Sequence, residues 1–199
     1  MRAVAATIVG LAVVGALVGG IWVILAPPVH GVVALNKSGQ RVYVYLGNEA
    51  DHFFVSAVMM VGLLAVVAVV AAVLAWQWRQ RRGPAMVVAL TLGGVAASAA
   101  ATGVGAGLAR LRYGAVDIAG APVSPQHRVH YVVEAPSVFF GHAPLQVLAT
   151  LLLPAAAAAL TYATLAAASA QDDLGVGDAA EPSVPETVQQ RPVTRSRTR

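Results

Sequence analysis

All five histidines of the chain fall in two polar segments, where they could bind a metal ion. They are His30, His52, His127, His130 and His142, and the carboxylates Glu49, Asp51 and Glu134 accompany them. Imidazole and carboxylate groups bind zinc in tetrahedral sets. However, His127 and His130 are three residues apart, which on a strand places them on opposite faces. No zinc-type spacing such as HExxH occurs, so hydrogen-bonded histidines are the favoured interpretation, and a His-cluster metal sensor is the alternative.

The sequence lacks the other residue patterns that commonly support catalysis. It has no Ser/His/Asp nucleophile elbow and no phosphate-binding loop, and its nine acidic residues are scattered. It has no cysteine, which excludes disulfides and thiolate metal sites. The net charge of +4 is not arranged as a basic stripe among aromatic residues. We therefore expect no enzymatic activity, no cofactor and no nucleic-acid partner.

Four apolar segments predict an all-α membrane protein, a four-helix transmembrane bundle. Hydrophobic residues make up 58% of the chain and charged residues only 11%, whereas soluble domains have about 25% charged residues. A membrane-spanning helix needs about 20 apolar residues, and four segments qualify, at about 4–26, 53–78, 85–109 and 144–169. None contains Asp, Glu, Lys, Arg or His. Since coupled transporters place such residues at membrane depth, a coupled transporter acting alone is disfavoured.

The arginine distribution predicts a multi-pass protein of the plasma (inner) membrane with both termini in the cytoplasm. Arg79, Arg81 and Arg82 lie in the short connection between the second and third helices, and short arginine-rich loops stay in the cytoplasm. The longer connections, residues 27–52 and 110–143, are then extracytoplasmic. We take residues 1–169 as the transmembrane domain. The remaining residues, 170–199, lack aromatic residues and are predicted to form a disordered cytoplasmic tail.

Small residues mark the helix faces that can approach another helix closely. Helices in lipid associate through such faces because apolar side chains gain nothing by leaving lipid for one another. The first helix contains Gly15-x-x-x-Gly19 and the third Gly103-x-x-x-Gly107. The third helix also has a small residue at every fourth position, namely Gly93, Ala97, Ala101 and Gly105. The four glycines of the two motifs either contact a partner subunit or hold the bundle together, and both interpretations stay open.

The two extracytoplasmic segments are predicted to form one small β-sheet that caps the helices. Residues 29–35 and 41–46 are strand-like and flank a turn sequence, which indicates a hairpin. The second segment has strand candidates at 116–119 and 127–133. Because a lone hairpin is marginally stable, we expect the two segments to pair. The similar segments VHGVVA (29–34) and VHYVVE (129–134) would then be equivalent strands, and their similarity would result from duplication or from chance.

Aromatic residues in these segments are candidate contacts with a neighbouring subunit. They are Tyr43, Tyr45, Tyr131, Phe139 and Phe140. Strand alternation places Tyr43 and Tyr45 on the same face of the predicted sheet.

Long stretches of both extracytoplasmic segments resemble a family of small mycobacterial four-helix membrane proteins described only as conserved. The stretches are LAPPVHGVVAL (25–35), GNEADHFF (47–54), RYGAVDIAGAPVSPQHRVHYVVEAP (112–136) and VFFGHAPLQ (138–146). The resemblance covers about residues 20–170 and extends to the lipid uptake coordinator subunit of the mammalian-cell-entry (MCE) lipid importer. It implies an accessory membrane subunit of an ATP-driven lipid importer. Its expected partners are the permease, the ATPase, the MCE-domain subunits and membrane lipids. A small membrane protein that binds or transports lipid by itself is the alternative.

Overall fold

The protein consists of four long helices and one three-stranded sheet. The structure is a computed structural model that describes residues 2–169, so the predicted disordered tail lies outside the described residues. The elements are α1 (Arg2–Leu25), β1 (Val29–Leu35), β2 (Arg41–Tyr45), α2 (Asp51–Gln77), α3 (Pro84–Tyr113), β3 (Val129–Glu134) and α4 (Pro144–Ala167), with a short 3₁₀ turn at Arg79–Arg81. The four helices are each long and apolar enough to cross a membrane. The predicted four apolar helices and small sheet are therefore confirmed.

Helix α3 is longer than the predicted 85–109, because it continues to Tyr113. Arg110 and Arg112 lie in its last turn, where positive charge stabilises the negative end of the helix dipole. The Arg112 side chain also donates a hydrogen bond to the Val23 carbonyl, at 3.4 Å. Gly114 then ends the helix with a φ of +71°, a conformation that favours glycine.

Helix α3 is the centre of the bundle, since it packs extensively on both α1 and α4 and also contacts α2. Gly15 and Gly19 of α1 pack so closely on the backbones of Ala97 and Ala101 that an added Cβ atom would overlap them. On another side of α3, Gly94 packs against Ala155 of α4. Two of the four motif glycines, Gly15 and Gly19, thus hold helices of the same chain together.

Trp22 joins α1 to α2 near the end of the bundle that carries the sheet. The side chain is fully buried, and its Nε1 donates a hydrogen bond to the Ser56 carbonyl at 2.8 Å. The indole also packs against Gly105 of α3, beside Met60. One large side chain therefore connects three helices.

The opposite end of the bundle is held by an aromatic contact between α2 and α4. The rings of Trp76 and Tyr162 meet edge to face, with centroids 5.3 Å apart. The backbone N–H of Gly83, in the α2–α3 connection, donates to the Tyr162 hydroxyl at 3.1 Å. The Arg82 guanidinium lies 4.2 Å from the Trp76 ring centroid, and its Nε donates to the Trp76 carbonyl at 3.0 Å. The connection is therefore tied to α4.

The helices pack around a small central cavity. It has a volume of about 10 Å³ and is lined by residues of all four helices, including Leu11, Leu64, Gly94 and the fully buried Pro154. This volume is close to that of a single water-sized probe. The cavity at the centre of the bundle is therefore far too small for a lipid chain.

The sheet has the strand order β2-β1-β3, and both pairs are antiparallel. Gly31 of β1 lies opposite Tyr45 on one side and Val132 on the other. The two connecting segments, residues 27–52 and 110–143, thus pair as expected, and VHGVVA and VHYVVE are neighbouring strands. The β1–β2 turn is stabilised by Asn36, whose Oδ1 accepts hydrogen bonds from two backbone N–H groups at 2.9 Å.

The predicted strand at 116–119 is wrong, because these residues form irregular structure and a bend. The Asp117 side chain accepts a hydrogen bond from the Gly120 N–H at 2.9 Å, and such local bonds compete with strand pairing. Pro122 and Pro125 have no backbone N–H to donate to a ladder. The second segment supplies only β3, at 129–134 rather than the predicted 127–133, so it is not equivalent to the β1–β2 hairpin.

Candidate functional site

The two faces of the sheet have different environments. Because directly opposed residues share a face, the register assigns Val29, Gly31, Val33, Tyr43, Tyr45, His130, Val132 and Glu134 to one face. We call this the inner face, since its three β1 residues are buried. The outer face includes Val42, Val44, Val129, Tyr131 and Val133, all of them exposed. The predicted common face of Tyr43 and Tyr45 is confirmed.

Tyr43 connects the two outermost strands across the inner face. Its hydroxyl donates a hydrogen bond to Glu134 Oε2 at 3.0 Å, and its ring lies over Gly31, which has no side chain to obstruct it. Burial raises the pKa of Tyr43 well above its usual range, and the Glu134 hydrogen bond and charge raise it further. The ring also meets that of Tyr45 edge to face at 5.1 Å. Through its hydrogen bond to Glu134, Tyr43 holds β2 to β3.

Glu49 connects β1 to the start of α2 through two histidines. Its Oε2 lies 3.1 Å from His30 Nδ1 and 2.9 Å from His52 Nδ1, and it also accepts the His30 backbone N–H at 3.2 Å. His52 Nδ1 lies 2.8 Å from the Pro28 carbonyl as well. Because carboxylate and carbonyl oxygens only accept hydrogen bonds, both Nδ1 atoms carry the proton. The three side chains form a hydrogen-bonded tie between the sheet and α2.

We expect this tie to weaken in acid. The hydrogen bond from the His30 side chain lowers the pKa of Glu49 below its ordinary value of 4.5, helped by the His30 backbone bond and the His52 charge. A lowered folded-state pKa means that the stabilisation is present above pH 4.5 and is lost as the pH falls through the lowered value. The protection of the amides in residues 46–52, measured as the exchange rate of an unstructured amide divided by the observed rate at the same pH, should therefore decrease below pH 4.5. Glu49→Gln should show low protection at every pH, and wild-type protection that does not decrease below pH 4.5 would contradict this.

The other three histidines lie apart from this tie. His130 is on the inner face, His142 is exposed just before α4, and the His127 backbone N–H donates to Ser124 Oγ at 3.1 Å. Within residues 2–169, no set of three or more His, Asp or Glu side chains is arranged to hold a metal ion. The metal-sensor alternative therefore has no ligand set in the part of the chain that the structure describes.

The five candidate aromatic residues do not form one surface. Tyr43 and Tyr45 lie on the inner face of the sheet, whereas Tyr131 is on the outer face and is 69% exposed. Phe139 packs against the buried cluster around Trp22. Phe140 contacts Phe54 of α2, with ring centroids 5.7 Å apart. Of the five, Tyr131 is the most accessible to another molecule.

Gly103 and Gly107 lie on the side of α3 that faces away from the bundle. Both are exposed, and a Cβ atom added at either would have no atom within 4 Å. The sequence already contained a signal for this, because Gly103 lies two residues from Ala101 of the packed ridge. Two residues correspond to about 200° around a helix. Unlike Gly15 and Gly19, this pair is therefore left open by the fold.

A cleft of about 380 Å³ lies between β3 and the segment 113–122. Its lining includes Tyr113, Asp117, His130, Tyr131 and Val132. Sequence reasoning missed the cleft because it expected a paired strand at 116–119. The signals that point away from such a strand are the turn-forming Asp117 and the following prolines.

The chain is similar to several mycobacterial proteins and to one family model. It is 53% identical to an uncharacterized protein of Mycobacterium leprae over 174 residues, which cover 87% of this chain and 88% of that protein. It is 52% identical over 175 residues to uncharacterized proteins of Mycobacterium tuberculosis and Mycobacterium bovis, covering 87% of this chain and 91% of each. No solved structure matches significantly. Because the family model DUF2567, "Protein of unknown function", matches residues 11–176, the chain belongs to that family.

Proposed function

We propose that the chain is a non-catalytic accessory subunit that binds a membrane partner through the face of α3 containing Gly103 and Gly107. The observation that carries the proposal is that two glycines four residues apart, and therefore on one face of α3, both have open space around them, whereas the control Gly62 is a single open glycine. Glycine in a helix interior is less favourable than alanine by about 1 kcal/mol. Contact with lipid alone does not require glycine at positions 103 and 107. Close approach of another helix does require glycine, because the two helix backbones can come close together only where no side chain lies between them.

The proposed assembly is an ATP-driven lipid importer of the MCE type in the plasma membrane. Its support is the sequence resemblance, together with the absence of Asp, Glu, Lys, Arg and His from the four predicted apolar spans, residues 4–26, 53–78, 85–109 and 144–169. Their absence disfavours coupling of transport to an ion gradient, so in this proposal the energy comes from an ATPase subunit. In this arrangement both termini are cytoplasmic. The sheet then lies on the extracytoplasmic side, where it can contact MCE-domain subunits.

Independent lipid transport has less support. That function needs a path or cavity for a lipid within one chain, and the cavity at the bundle centre is about 10 Å³. The proposal therefore places the lipid pathway in the partner subunits, with membrane lipids around this chain.

The test is co-purification of the tagged full-length protein from its native membranes in mild detergent, followed by mass spectrometry. We expect the permease, ATPase and MCE-domain subunits in fixed ratio with the wild-type chain. Gly103→Leu or Gly107→Leu should reduce their recovery by about tenfold, since a bulky side chain blocks helix approach.

Gly62→Leu is the matched control, because Gly62 is an exposed α2 glycine that likewise has no atom within 4 Å of an added Cβ. It should leave recovery unchanged. Equal recovery with Gly103→Leu and Gly62→Leu would show that this face of α3 is not the interface. Purification of the wild-type chain alone would reject the subunit function, and a different set of retained proteins would reject the importer.

A further inference from the structure

Strand β3 is an edge strand with a row of outward-pointing backbone groups. Its one neighbour in the described sheet is β1. The Leu35 N–H donates to the Arg128 carbonyl at 2.9 Å, so every second residue from 128 onward directs its backbone toward β1. The N–H and C=O groups of Val129, Tyr131 and Val133 therefore point away from the sheet. None of the backbone hydrogen bonds of the described loops reaches these three residues.

This edge opens into the cleft of about 380 Å³ between β3 and the segment 113–122. The cleft borders Tyr131, Val132 and Val133, so the free backbone groups of Tyr131 and Val133 adjoin an open cleft. The stretch from Val129 to Val133 spans about 17 Å at the usual rise of a strand. An extended segment of about five residues has this length.

We propose that an extended peptide segment of a partner protein binds in this cleft as a fourth strand, hydrogen-bonded to the free edge of β3. The alternating donors and acceptors of a strand edge match another peptide backbone, which is the basis of recognition by strand addition. On the inner face, the partner side chain opposite Val132 would lie in a cleft that also contains Val116 and Pro122, which favours a small apolar residue. Next to it, Asp117 can accept a hydrogen bond from the partner.

A second copy of this chain fits the cleft less well than a separate segment. A second copy would present an identical concave cleft beside its own β3, and two facing concave surfaces do not fill each other. A lipid headgroup lacks the regular alternation of donors and acceptors. The cleft also lies on the sheet rather than on the membrane-spanning Gly103 face, so this inference is independent of the proposed helix contact.

The probe is a phage-displayed random heptapeptide library, selected on the full-length protein in phospholipid nanodiscs. The best peptide is then synthesised with a methyl group on each backbone nitrogen in turn. We expect N-methylation to weaken binding by about tenfold at every second position and to have little effect between, because only alternate N–H groups of an added strand face β3.

Two substitutions at one position test the protein side. Tyr131→Pro removes an outward N–H and should weaken binding by about tenfold, but it does not remove a β1–β3 hydrogen bond, and proline is tolerated at strand edges. Tyr131→Ala keeps the N–H and should bind nearly as well as the wild type. The N-methyl series on the wild-type protein keeps the test valid if Tyr131→Pro misfolds.

Three outcomes would overturn the proposal. The first is that no peptide is retained above empty nanodiscs. The second is N-methylation effects without a two-residue period, which would indicate recognition by side chains alone. The third is spontaneous disulfide-linked dimerisation of Tyr131→Cys, a clean reporter since the chain has no cysteine, because the occupant would then be a second copy.

Discussion

Trp22→Ala is expected to lower the free energy of unfolding by about 3 kcal/mol, the lower end of the usual range for removing a buried tryptophan. The indole is fully buried among three helices, so its removal leaves a cavity that their backbones cannot close. The Ser56 carbonyl also loses the N–H donor that now lies 2.8 Å away. The measurement is unfolding of the protein in mixed micelles by increasing SDS, followed by helix content.

Trp22→Phe separates the contribution of ring packing from that of the hydrogen bond to the Ser56 carbonyl. Phenylalanine retains most of the ring volume but has no N–H, so the loss should be about 1 kcal/mol from the hydrogen bond plus a smaller packing defect. Equal stability of Trp22→Ala and the wild type would show that this junction does not hold α1 and α2 together.

Gly15→Leu is expected to destabilise the bundle by about 3 kcal/mol, at the upper end of typical overpacking penalties. An added Cβ atom at Gly15 would overlap the backbone of Ala97. Backbone atoms cannot rotate away as the end of a flexible side chain can, so α1 must move away from α3. The same SDS titration measures the loss, and cross-linking between α1 and α3 should decrease in parallel.

Gly10→Leu is the matched control on the same helix. An added Cβ atom at Gly10 has no atom within 4 Å, and leucine has a higher helix propensity than glycine. It should therefore leave stability unchanged or raise it slightly. If Gly15→Leu behaved like Gly10→Leu, the close packing of α1 on α3 would be wrong.

The contrast between Gly15 and Gly103 is central to the proposed function. Both belong to the same four-residue glycine pattern, yet one is buried against Ala97 and the other has open space around it. Substitution at Gly15 should therefore reduce stability, whereas substitution at Gly103 should affect only the contact with a partner. Measuring stability and co-purification on the same variants distinguishes a folding defect from a lost interface.

Local sequence signals were sufficient for the helices and the β1–β2 hairpin. An apolar run of about 20 residues favours a helix in any context that excludes water, because every backbone group is then satisfied within the segment. The helix bounds differ from the prediction by no more than two residues except at the end of α3. There, the charged turn at Arg110–Arg112 interrupts the apolar pattern while the helix continues. The turn chemistry at Asn36 and Gly39 likewise acts within a few residues.

The sequence by itself thus determined four apolar helices and a hairpin, and the marginal stability of a lone hairpin predicted that the second segment would pair with it. Only the tertiary structure decided that Gly15 is buried while Gly103 is open, that His30, Glu49 and His52 meet, and that β3 has a free edge beside a cleft. The physical reason is the distance along the chain over which each interaction acts. Hydrophobic length and turn chemistry act between near neighbours, whereas a helix face, a side-chain cluster or a cleft depends on how distant elements pack.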